Sequence, residues 1–125
     1  MQPIIPPPIR RFILTSIASV PHLEALLLLR ASAPQGWPAA QVAERLYIGA
    51  AAATRLLGDL VQRGMLREDG GQYLYAPSGE HLRTVIDELA ALYARHLVEV
   101  THLIHSRLDR QAQHFADSFR WRKDS

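Results

Sequence analysis

Apolar residues recur at two periods along this chain, about 3.6 residues over most of its length and 2 over one short stretch. Over residues 22–31, Leu23, Leu26, Leu27 and Arg30 fall at helical spacing, and Leu28 and Leu29 widen the stripe. This predicts a helix buried on most sides. Ser19 suits its N-cap and Pro21 its first turn. Pro34, Gly36 and Pro38 predict a loop around Trp37. Val42 and Leu46 stand one turn apart in a second helix over residues 39–46. After a tight turn at Tyr47-Ile48-Gly49, a third helix over 50–63 turns Ala53, Leu56, Leu57 and Leu60 inward, and Gly64 suits a left-handed cap.

The period changes to 2 after Gly64. Residues 65–68 and 72–76 flank Asp69-Gly70-Gly71, a turn signal that supplies positive φ, so a β-hairpin is predicted. Pro77 ends its second strand. From Ser78 to Leu108 a long helix is predicted, in which Leu82, Ile86, Leu89, Tyr93, His96, Val100 and Leu103 form a heptad seam. A rod of roughly 30 residues is on the order of 45 Å long, more than a small head can cover. The seam therefore predicts a homodimer interface, with a helix folded back on its own domain as the alternative. Pro3, Pro6, Pro7 and Pro8 predict an extended arm, followed by a short helix over 9–18. The resulting organisation is an arm and short helix (1–18), a head (19–77), a dimerisation helix (78–108) and a tail (109–125). The tail carries Phe115, Phe119 and Trp121, and its Arg120, Arg122 and Lys123 read as solvated charge.

Composition narrows the classes. Leu and Ala dominate, which favours a mostly α fold with a small β-hairpin. The net charge is only +2, with Lys123 the sole lysine, so nucleic-acid binding is permitted without being demanded. Without cysteine there are no disulfides, thiol catalysis or cysteine-ligated zinc. No apolar run is long enough to span a bilayer, and prolines stand where a signal peptide would have a basic region and an apolar core. A cytoplasmic location and no membrane partner are expected.

The order helix, helix, tight turn, helix, hairpin is a winged helix-turn-helix, in which the third helix reads a DNA major groove and the hairpin is the wing. Three runs, 40–46 (AQVAERL), 53–57 (ATRLL) and 60–66 (LVQRGML), resemble the winged helix-turn-helix of MarR-like transcriptional regulators. The resemblance covers about residues 20–77. It implies that double-stranded DNA meets the exposed start of the third helix, here Gly49, Ala50, Ala51, Thr54 and Arg55. Arg55 suits a guanine or a phosphate, and Thr54 a phosphate or a thymine methyl. The wing tip departs from the family, with Glu68 and Asp69 beside a single Arg67. Those carboxylates repel phosphate, so Arg45 and Arg63 are needed as offsetting cations, and a shallow salt dependence follows. The resemblance also implies a small aromatic effector, with Trp37, Tyr47 and Tyr93 as candidate liners or, alternatively, core residues.

A winged helix can also serve as a protein-interaction module, so an adaptor that docks on another transcription protein is the second reading. His96, Glu99, His102 and His105 follow one another at three-residue steps, but such steps drift by about 60° each around a helix and cannot all meet one ion. No metal and no cofactor are expected. Phosphate loops, nucleophile elbows and paired catalytic acids are absent from the sequence, so no enzyme is expected.

Overall fold

The computed structural model describes residues 3–106. Helix α1 spans Pro7–Ser16. Pro7 and Pro8 sit in its first turn, where no amide donor is needed and a fixed φ suits the helix. The helix therefore starts earlier than expected, and the extended arm is shorter. Ile9, Ile13 and Ile17 recur every four residues and are buried.

Helix α2 spans Val20–Ala31, and Ser19 caps it by accepting a hydrogen bond from the His22 amide at 3.3 Å. Leu23, Leu26 and Leu29 are fully buried. The expected loop after α2 contains a short strand instead. Trp37–Pro38 (β1) pairs with the inner wing strand, Trp37 opposite Tyr73 and Pro38 opposite Gln72. The Trp37 indole donates to Ser32 Oγ at 2.8 Å, and the Ser32 hydroxyl donates to the Leu28 carbonyl at 2.7 Å. Burying both aromatic side chains across the pair favours pairing over a solvated loop.

Helices α3 (Ala39–Leu46) and α4 (Ala50–Gln62) follow. Ala53, Leu56, Leu57 and Leu60 are the buried face of α4, as the periodicity predicts. Strands β2 (Leu66–Asp69) and β3 (Gln72–Tyr75) form the wing, in an antiparallel sheet of order β1-β3-β2. Gly70 and Gly71 take φ of +60° and +83°, the conformation a two-residue hairpin turn requires. Gly64 adopts φ +78°, and its carbonyl accepts from the Ser78 amide at 2.8 Å.

Helix α5 spans only Glu80–Arg95. The predicted continuous helix breaks at His96, whose φ of −134° and ψ of 51° are not helical. A further helix, α6, occupies residues 97–106. The break has a physical reason. A bend lets Val100 (0% exposed), Leu103 (7%) and Ile104 (0%) enter the same core as α1, α2 and α4. Each such burial is worth about 1.5–3 kcal/mol, against about 1 kcal/mol for each helical hydrogen bond given up. The predicted heptad seam is thus filled within the chain. Ile86, Leu89, Tyr93, Val100 and Leu103 are buried, and Leu82 and His96 are half-buried. This corrects the expectation of an open seam and removes the geometric basis on which it predicted a partner. The tail features, including Phe115, Phe119 and Trp121, lie outside the described residues.

Two polar ties fix α5. Arg30 Nε donates to Asp87 Oδ1 at 3.0 Å, joining the end of α2 to α5. The Tyr93 hydroxyl donates to Glu24 Oε1 at 2.6 Å. Burial, reinforced by the Glu24 carboxylate, pushes the Tyr93 pKa up to about 12, so the phenol stays a donor.

Candidate nucleic-acid interface

Helix α4 is amphipathic, so packing of its inner face against the core forces Ala50, Ala51, Thr54 and Arg55 outward, and all four are exposed. The helix starts without a side-chain cap at Gly49. Thr54 Oγ1 donates to the Ala50 carbonyl at 3.1 Å, which leaves the hydroxyl's lone pairs and the methyl facing out. Arg55 makes no ion pair or hydrogen bond among the described residues. It borders a cavity of about 280 Å³ lined also by Ser19, Pro21, His22, Ile48, Ala52 and Leu56. The outer face of α4 is therefore small and nearly uncharged around one uncommitted guanidinium.

The other predicted cations divide. Arg67 is exposed on β2 opposite Leu74. Strand alternation puts it on the wing face opposite Glu68, which stands across from Tyr73. Glu68 adds to burial in raising the Tyr73 pKa, burial being the larger cause. Arg45 is exposed at the end of α3 with its guanidinium 5.5 Å from the Trp37 ring centroid. Arg63 is exposed but engaged by the fold's own groups. Its Nη1 donates to the Thr15 carbonyl at the end of α1 at 2.9 Å, and its Nε to Asp59 Oδ2 at 3.4 Å. Asp59 Oδ2 also lies 3.2 Å from His22 Nε2, and His22 Nδ1 lies 2.6 Å from Ser19 Oγ. This chain of contacts joins the end of α4 to α1 and to the N-terminus of α2, so it is structural. Arg63 thus lies roughly 20 Å along the helix from Ala50, at 1.5 Å per residue, and does not share a surface with it.

The candidate effector liners part in the same way. Trp37 and Tyr93 are buried core residues, whereas Tyr47 is 94% exposed. Sequence reading offers Tyr47 as an effector liner or a core residue and misses its exposure. Its signal was present, since it falls in the tight turn on neither helix's apolar face. His96 Nδ1 lies 3.2 Å from Glu99 Oε2, and among the described residues no cluster of three or more potential ligands converges on a metal position. Among the described residues, no single helix is long and apolar enough to cross a membrane.

Three helices, a helix-turn-helix between the last two, and a hairpin laid beside them define a winged helix-turn-helix, the reading head of DNA-binding transcription regulators. Residues 23–70 match the IclR helix-turn-helix domain, and the chain is similar to that domain over this stretch. The match supports a DNA-binding transcription regulator of the winged helix-turn-helix class and does not support the MarR-like family in particular. No curated protein and no solved structure matches the chain.

Proposed function

We propose that the chain is a non-enzymatic transcriptional regulator that binds double-stranded DNA by inserting the start of α4 into the major groove. The observation that carries this is the pairing of an outward α4 face with an uncommitted Arg55, beside a hairpin whose Arg67 points away from Glu68. Arg55 is the base- or phosphate-binding residue, Thr54 and Ala51 supply apolar or acceptor contact, and Arg67 and Arg45 flank the groove. Few cations take part, so the decline of affinity with salt is shallow for a DNA-binding protein. Fluorescence anisotropy on mixed-sequence and selected duplexes from about 50 to 200 mM salt tests this, with Arg55→Ala as the diagnostic variant.

A second reading, a head that docks on another transcription protein, draws support from Glu68 and Asp69 at the wing. It takes over if no duplex binds the wild type at low salt. For a homodimer, the exposed apolar pair after the bend, Leu97 (53% exposed) and Val98 (59%), is the contact we favour over the filled seam. Sedimentation of wild type and Leu97→Asp tests it, and a monomer in both sinks it.

A further inference from the structure

We infer that Tyr47 is a DNA-contacting residue, whose phenol donates a hydrogen bond to a backbone phosphate at the lip of the groove that α4 enters. The inference rests on the DNA-binding reading above and adds a residue that positions the helix on the duplex.

Two independent observations converge on Tyr47. Its side chain is 94% exposed, the most exposed large hydrophobic side chain among the described residues. Its backbone is left-handed, with φ 57° and ψ 44°, and no other non-glycine described residue has positive φ. The turn around it is hydrogen-bonded, Tyr47 N–H to the Glu44 carbonyl at 3.4 Å and Ile48 N–H to the Ala43 carbonyl at 3.0 Å. This is the helix-ending position that glycine fills without steric conflict. A tyrosine here eases neither the backbone nor the core, because its ring covers almost nothing of the fold. Strain kept at an exposed side chain points to a role outside folding.

Position supplies the partner. Tyr47 stands in the turn of the helix-turn-helix, three residues before the start of α4 at Ala50. The exposed residues that follow it, Gly49, Ala50 and Ala51, carry no side-chain donor. Tyrosine hydroxyls are among the groups that bind phosphate oxygens and set register without reading bases. Its exposed neighbours in sequence, Glu44, Arg45, Gly49 and Ala50, are charged or small, unlike the apolar patch of a protein-docking face. The other exposed large hydrophobics, Ile4, Leu97 and Val98, belong to the N-terminal arm and α6.

Tyr47→Gly and Tyr47→Phe, measured by thermal melting and by anisotropy on two unrelated duplexes at low salt, test the assignment. Tyr47→Gly is expected to melt at or above the wild-type temperature and to bind about tenfold more weakly. Tyr47→Phe is expected to melt like wild type and to lose most of the same affinity, equally on both duplexes. A glycine variant that binds like wild type overturns the inference and leaves the DNA-binding reading standing. So does a glycine variant that melts markedly lower, because the side chain would then serve the fold. A phenylalanine variant with full affinity overturns the phosphate hydrogen bond. Failure of the wild type itself to bind either duplex removes the DNA-binding reading and the inference together.

Discussion

The first and last turns of α4 hold their polar side chains differently. At the last turn, Asp59 receives both His22 and Arg63, and Arg63 reaches the Thr15 carbonyl in the last turn of α1. At the first turn, Ala50 and Ala51 offer nothing polar and Arg55 makes no ion pair or hydrogen bond among the described residues. Two arginines eight positions apart, one on α4 and one capping it, thus differ in engagement, one tying elements together and the other uncommitted among the described residues. The difference shows that basic residues on a recognition helix cannot be counted as DNA contacts from sequence alone. Only the cation with no internal carbonyl or carboxylate is available.

Substitutions can break this contrast. The largest effect is expected from Leu60→Ala, which empties a fully buried site near the last turn and costs about 3 kcal/mol in urea unfolding. Arg55→Ala should leave the melting temperature unchanged and lower DNA affinity at low salt by about tenfold or more. Arg63→Ala should do the reverse. It costs about 1 kcal/mol of stability, since its partly exposed contacts are screened, and leaves DNA affinity and its salt slope close to wild type. If Arg63→Ala weakens DNA binding as much as Arg55→Ala, the division of α4 is wrong.

The smallest effect at neutral pH concerns Tyr93, the tyrosine held inside, in contrast to Tyr47. Its folded pKa of about 12 lies above the ordinary tyrosine value of 10.0. The unfolded chain therefore releases this proton first, and the contribution is fully present below pH 10 and lost as pH rises towards 12. Tyr93→Phe should flatten the fall in stability over that alkaline window, measured by urea unfolding against pH.

The pattern of apolar residues was enough to place α2, α3, α4 and the wing, because each buries a face whose period can be read locally. Ser19 and the Gly70-Gly71 turn were legible for the same reason, since a cap and a primed turn are decided within four residues. What escaped depends on partners distant in sequence. Strand β1 exists because Trp37 meets Tyr73, and Arg63 is occupied because the last turn of α1 at Thr15 packs back beside it. The straight helix failed at His96, which has neither proline nor glycine nearby to announce a bend. The deciding term is burial of Val100, Leu103 and Ile104, visible only once the core is assembled. Of the candidate interface, Ala50, Ala51, Thr54, Arg55, Arg45 and Arg67 are exposed, and Arg63, also exposed, is tied by its guanidinium to Thr15 and Asp59.

One consequence follows from the short strand at Trp37–Pro38. It is hydrogen-bonded to the inner strand of the hairpin and leads straight into α3, while Arg45 from the far end of α3 lies over its tryptophan. Hairpin and helix pair are thereby welded at the base, so a push on one is delivered to the other. Bending the hairpin away from the helix pair would first have to unzip that seam, so the two are expected to move as a single piece.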